Sequence, residues 1–211
     1  MSFVINERLR ESIVINMTKL ERWTVEDEGL RRAAVAVVVA PSEKDDSACI
    51  LLTRRPASIK RHAAQIAFPG GRFEPGETVE QAALRETREE VGLTLSSEDI
   101  IGLLDDFPTR SGFAITPVVF WCGKRAHLEP DPNEVDKVFY VPFAEINDPQ
   151  IPQFINPDGI EGDRVFCAPL STIGHEVYAP TAAILYQFRE LCIRGEVKRV
   201  SDLEQPQFAW Q

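Results

Sequence analysis

The sequence predicts an α/β sandwich in which a mixed β-sheet lies between helices. Three observations carry this. The run AAVAVVVA (33–40) is apolar and rich in β-branched residues, the pattern of a strand covered on both faces. A polar turn, PSEKDDSA (41–48), separates it from a second apolar run, CILLTRR (49–55), which predicts a hairpin. Later strand patterns are interrupted by few helical ones, which argues against a repeated βαβ winding.

Taken in order, the apolar positions of residues 3–23 (Phe3, Val4, Ile5, Leu9, Ile13, Val14, Ile15, Leu20) recur at roughly helical spacing and predict one or two packed helices. Residues 56–77 read as a long loop punctuated by Pro56, Pro69, Gly70, Gly71, Pro75 and Gly76; loops of that length inside a domain usually carry function. TVEQAALRETREEV (78–91) predicts a helix with Thr78 as N-cap and Gly92 as C-terminal stop, its Val79, Ala82, Ala83 and Val91 turned to the core. Strands are expected at 99–107, 114–123, 137–143 and 164–170, with a short helix over FAEIND after the third. PTAAILYQFRELCIRG (180–195) is an amphipathic helix that starts at Pro180 and ends at Gly195. The organisation is thus a helical extension (1–30), one domain (31–200) and a tail (201–211).

Composition narrows the function. The chain has 211 residues, 44% of them hydrophobic, and no run near the ~18 apolar residues of a membrane span. Its N-terminus mixes Glu and Arg into apolar positions, unlike a signal peptide. Cys49, Cys122, Cys167 and Cys192 stand far apart, as do His62, His127 and His175, so neither a disulfide framework nor a zinc site is expected; buried thiols in a reducing cytoplasm are. A formal charge of −10 argues against nucleic-acid binding but leaves room for a small anionic ligand held by a basic patch or bridging cations. The apolar N-terminal segment would pack on its own domain or on a second copy, so monomer and homodimer both stay open.

The helix at 78–91 carries the chemistry. Glu86, Glu89 and Glu90 stand at i, i+3 and i+4, on one face. Like charges at that spacing repel by roughly 0.2–0.5 kcal/mol per pair. Two readings follow: a solvated acidic face countered by Arg85 and Arg88, or a cage of oxygen ligands for a hard divalent ion such as Mg²⁺ or Mn²⁺. Upstream, Pro69-Gly70-Gly71 lets backbone approach a ligand closely and offers a carbonyl.

From Gly71 to Leu93 the pattern is glycine, five residues, Glu77, seven residues, then Arg85-Glu86-Thr87-Arg88-Glu89-Glu90-Val91-Gly92-Leu93. This resembles the Nudix box, with Thr87 in place of the usual aliphatic residue. The resemblance implies a Nudix-type αβα sandwich and metal-dependent hydrolysis of a nucleoside diphosphate linked to another moiety. It casts Glu86, Glu89, Glu90 and the Gly70 carbonyl as ligands for Mg²⁺ or Mn²⁺, and Glu77 and Arg85 as supports that orient the carboxylates.

The preceding stretch, LLTRRPASIKRHAAQIAFPGG (51–71), is similar to the signature of the coenzyme A pyrophosphatases through Leu51, Leu52, Thr53, Arg55, Arg61, His62, Gln65, Phe68, Pro69, Gly70 and Gly71. Ala64 stands where that group has glycine, at a position expected to need positive φ or close approach to a ligand. Arg54, Arg55, Lys60, Arg61 and His62 make a basic patch suited to a multiply phosphorylated ligand, or a solvated loop that offsets the acidic helix. TRSGFAITPVVF (109–120) and PDPNEVDKVFYVPFAEI (130–146) also look like that group, whereas YAPTAA (178–183) keeps only Thr181 and Ala182 of its C-terminal segment. Glu134 reads as a general base, a metal-shell acid or an exposed loop acid. Coenzyme A or a derivative is the expected substrate; ADP-ribose, NADH or a nucleotide sugar is the alternative. A non-catalytic nucleotide sensor fits less well, because the box keeps Glu77, Glu86, Glu89 and Glu90.

Overall fold

In a computed structural model, residues 3–57, 64–155, 165–201 and 203 are described. The expected α/β sandwich is present. Its centre is β1 (Arg31–Pro41), paired in parallel with β7 (Phe113–Trp121) and antiparallel with β2 (Ala48–Arg54). β2 continues antiparallel to β8 (Lys137–Pro142) and to the two-residue β3 (Ile66–Ala67). Short β4 (Gly70–Arg72) pairs with the first half of β1, while β5 (Ile100–Leu103) and β6 (Phe107–Thr109) pair with β7. A separate three-stranded sheet joins β9 (Gln153–Ile155), β10 (Val165–Leu170) and β11 (His175–Tyr178), with β10 in the middle.

The alternation along β1 shows why it is apolar throughout. Val37 and Val39 join one core with Ile13, Met17 and Phe188, from α1 (Glu7–Met17) and α4 (Thr181–Phe188). Ala34, Ala36, Val38 and Ala40 face the other core, with Ala82, Ala83 and Val91 of α2 (Val79–Val91). Facing alanines bring α2 close to the sheet, at a spacing that larger side chains would widen. α2 starts on a capping box in which Thr78 Oγ1 accepts from Gln81 N (3.3 Å) and Gln81 Oε1 accepts from Thr78 N (2.9 Å). It stops at Gly92, in the left-handed region at φ 69°.

Several boundaries differ from expectation. The loop expected over 56–77 contains β3 and β4, which are too short to show a strand pattern and extend because β2 and β1 supply partners. The strand expected at 99–107 is two strands, parted where Asp105 and Asp106 turn inward. The helix expected over 180–195 is α-helical only to Phe188; Arg189–Ile193 widen into a π-turn, where buried Arg189 pairs with Glu190 at 2.7 Å and also donates to the Ile151 carbonyl. A four-residue α3 (Phe143–Ile146) follows β8 as expected. All four cysteines are buried and free. Among the described residues no helix is long and apolar enough to cross a membrane.

Candidate active site at the carboxylate helix

The close approach of α2 sets the site. β4 lies against β1 with Gly70 opposite Val35 and Gly71 opposite Ala34, and the face of α2 bearing Glu86 and Glu90 packs beside it. A Cβ on Gly71 would fall 2.3 Å from Glu86 Oε1, and one on Gly70 would fall 2.4 Å from the Ala34 carbonyl. Gly70 is required by space because the clash is with backbone, whereas a side chain at Gly71 would displace the Glu86 carboxylate. Gly70 N donates to Glu90 Oε2 at 3.3 Å.

The third carboxylate comes from outside the helix. The segment after α2 is pinned to it where Glu129 N donates to the Val91 carbonyl (2.9 Å) and Asp131 N to the Glu90 carbonyl (3.0 Å). A turn built on the Asp131 carbonyl then delivers Glu134. Glu86, Glu90 and Glu134 each bring one oxygen within 4.8 Å of the others.

Arg85 orders the helix side of this cluster. Its Nε and Nη2 donate to Glu77 (2.7 and 3.1 Å), its Nη1 to Glu86 (2.9 Å) and Glu89 (3.0 Å), and its Nη2 also to the Arg72 carbonyl (3.0 Å). Glu77 is held below the usual carboxylate range by that pairing. Glu89 thus leans toward Arg85 and stays half-exposed, apart from the Glu86–Glu90–Glu134 group. Thr87, where the box usually has an aliphatic residue, is fully buried and donates back to the Ala83 carbonyl at 2.7 Å, so its hydroxyl is satisfied.

Burial pushes Glu90, only 3% exposed, up to about 8; Arg55 opposes the shift while Glu86 and Glu134 add to it. Burial also raises Glu86, against the pull of Arg85. Crowded, desolvated carboxylates beside backbone are an oxygen-only donor set, and a hard divalent cation fits it. Among the described residues, Arg55 pairs with Glu90, its Nη2 standing 3.7 Å from Glu90 Oε1.

The other expected binding residues divide. Arg54 pairs with Asp136 (2.6 Å) on the surface. Phe68, expected at the ligand, is buried in the core at 3% exposure, because the strand pairing of β3 turns it inward. Gln65 holds the loop through its carbonyl, which accepts from Arg55 N at 3.1 Å. Lys60, Arg61 and His62 lie outside the described residues. Ala64 adopts φ 58°, the one non-glycine residue with positive φ among those described, so the backbone has the conformation a glycine would take there.

One feature was missed from sequence: a cavity of about 360 Å³ bounded by β3, the β6–β7 turn, β11 and the start of α4. Ile66, Phe113, Ile115 and Val177 line it. The apolar alternation of Phe113 and Ile115 was a signal for it, but they read as ordinary strand residues.

The α/β sandwich and the oxygen-only carboxylate cluster beside β4 are those of a Nudix hydrolase. The NUDIX domain pattern matches residues 30–158, and the chain belongs to the Nudix family. It is 35% identical over 141 residues to an uncharacterized Nudix hydrolase, NudL, of Citrobacter koseri, covering 66% of this chain and 73% of that protein. It is 36% identical over 118 residues to Nudix hydrolase 3 of Caenorhabditis elegans, covering 54% of this chain and 49% of that one. Among solved structures, a bifunctional NMN adenylyltransferase/ADP ribose pyrophosphatase from Francisella tularensis superposes with a TM-score of 0.51 at 16% identity, over 89% of this chain and 46% of that one. That likeness speaks to the fold alone.

Proposed function

We propose that the protein cleaves the diphosphate bond of coenzyme A or its derivatives, releasing 3′,5′-ADP and 4′-phosphopantetheine or its acylated form, with Mg²⁺ or Mn²⁺ as cofactor and in the cytoplasm. We also take residues 1–30 as an extension and 201–211 as a tail of a hydrolase domain at 31–200, acting as monomer or homodimer. The observation that supports the substrate is the segment before the box: it resembles the coenzyme A group at most of its marked positions, Ala64 excepted, and its Arg55 stands against Glu90.

Glu86, Glu90 and the Gly70 carbonyl would hold a divalent cation, with Glu89 joining by resemblance. Such a cation would neutralise phosphate charge and lower the pKa of a bound water, easing its deprotonation for attack on phosphorus. Arg85, anchored on Glu77, positions the glutamates. Arg55 leaves Glu90 for a phosphate oxygen when substrate and cation arrive, because a bidentate phosphate contact is stronger than a 3.7 Å ion pair. Glu134 is exposed enough to accept the proton of attacking water, or supplies a further ligand oxygen.

A second reading, an ADP-ribose, NADH or nucleotide-sugar pyrophosphatase, draws on where the departures lie. Ala64 and Tyr178, Ala179, Pro180 and Thr181 of YAPTAA line the cavity linked to the carboxylate site, where the second half of a substrate would sit.

Purified protein with Mn²⁺ and coenzyme A is expected to release 3′,5′-ADP, and Glu90→Gln to lower kcat by about 10²-fold or more. No 3′,5′-ADP above the variant sinks the coenzyme A assignment. ADP-ribose, NADH and a nucleotide sugar in the same panel decide the alternative by kcat/KM.

A further inference from the structure

The cavity bounded by β3, the β6–β7 turn, β11 and α4 is linked to the carboxylate site by two short chains of contacts. In one, cavity residue Gln65 accepts a backbone bond from Arg55, which reaches Glu90. In the other, the Phe113 ring carries the Arg72 guanidinium at 5.2 Å, and the Arg72 carbonyl is held by Arg85. The Arg31 guanidinium also stacks on that ring, at 4.0 Å, and donates to the Ser111 carbonyl. A cation rim thus borders an interior of different chemistry.

Its lining is more apolar than polar, and the described lining residues include no arginine or lysine; Glu176 and His175 supply a carboxylate and an imidazole among them. A phosphorylated nucleoside would lose water there without gaining a counter-charge, at a cost of several kcal/mol. An uncharged arm loses less, because its amide and hydroxyl groups can pair with polar lining residues such as Ser111 and His175 while its methylene groups bury apolar surface. The volume, about 360 Å³, lies at the small end of ligand pockets, enough for one arm of a large substrate. Its walls are preformed. Thr181 Oγ1 donates to the Ile66 carbonyl (3.1 Å), and Phe113 N donates to Thr109 Oγ1 (2.9 Å).

We propose that this cavity receives the uncharged arm of the substrate, the pantetheine chain and an acyl group on its sulfur, and so sets the preference for thioester length. The proposal rests on the coenzyme A reading above. The diphosphate then lies at the rim, with the phosphorylated adenosine on the Arg55 side. Ile115 is the residue to vary, since it lines the cavity without touching a carboxylate, and the two directions of substitution make opposite predictions.

The test is steady-state hydrolysis by the full chain with Mn²⁺ of coenzyme A and its acetyl, butanoyl, hexanoyl and octanoyl thioesters, for wild type, Ile115→Trp and Ile115→Ala. The melting temperature of each protein is recorded alongside. Filling the cavity with Ile115→Trp is expected to lower the kcat/KM ratio of octanoyl to free coenzyme A by about tenfold or more. Enlarging it with Ile115→Ala is expected to raise that ratio and move the optimum to longer chains. A ratio unchanged in Ile115→Ala overturns the proposal even if Ile115→Trp fails to fold. Turnover of coenzyme A with an unaltered ratio overturns the cavity assignment alone, whereas wild type that releases no 3′,5′-ADP from any of the five overturns the coenzyme A reading with it.

Discussion

Glu90 is the residue on which the site's electrostatics turn. Its folded value, about 8, lies above the ~4.3 of a glutamate in an unfolded chain. The native state therefore binds this proton more tightly than the unfolded state does. The resulting stability is fully present below about pH 4.3 and is lost as pH rises toward 8. Metal-free wild-type protein should accordingly fall behind Glu90→Gln in melting temperature as pH rises from 5 to 9, by differential scanning fluorimetry. Saturating Mn²⁺ should close that gap for wild type, because the cation takes the place of the proton. Equal pH profiles for the two metal-free proteins would refute this account of Glu90.

The contact between β4 and α2 is an element-scale device. Glycines on one strand and alanines on the sheet let a helix bring its carboxylates against backbone. Gly71→Ala places a methyl where Glu86 now sits, 2.3 Å from its Oε1. Mn²⁺ affinity, by titration calorimetry, and activity are each expected to drop by about 10–100-fold, with the melting temperature little changed because the displaced group is a partly exposed carboxylate. The helix, its caps and its glutamates were legible in the sequence because they depend on residues three and four apart. Pro69-Gly70-Gly71 reads as a close approach of backbone to a ligand, whereas the close neighbour of Gly71 is the Glu86 carboxylate. Glu134 was singled out, but its arrival beside Glu90 rests on backbone bonds from Glu129 and Asp131, which no side-chain pattern encodes. Glu89 was grouped with Glu86 and Glu90 by helical phase, whereas Arg85 draws it aside. β3 and β4 were read as loop since two or three residues of Gly, Ala and Arg form strands only when a neighbour offers its edge. The cavity escaped notice because its walls come from four elements far apart in the chain.

At the scale of the whole molecule, Asp105 and Asp106 join the chain's two outer segments to the sheet. Asp106, fully buried, accepts from Arg22 (2.5 Å), Arg32 (3.2 Å), Thr116 Oγ1 (2.6 Å) and Val25 N (2.9 Å). Asp105 accepts from Trp23 N (2.7 Å), Gln187 Nε2 (2.7 Å) and Arg199 (2.6 and 2.7 Å). Removing the first, as Asp106→Ala, should cost about 2–3 kcal/mol, below the ~3–5 of fully buried pairs because Arg22 and Arg32 keep some contact with water. A melting temperature lower by about 5–10 °C is expected, and an unchanged one would show the cluster to be dispensable. The arrangement also governs how the fold comes apart. Arg199 reaches past Asp105 to the Glu21 carbonyl, so the stretch before β1 and the stretch after the π-turn hold one another as well as the sheet. Neither frays alone: loosening either strips partners from the same buried acid. Residues 21–25 and 198–200, separated by nearly the whole chain, open and close as one cooperative unit.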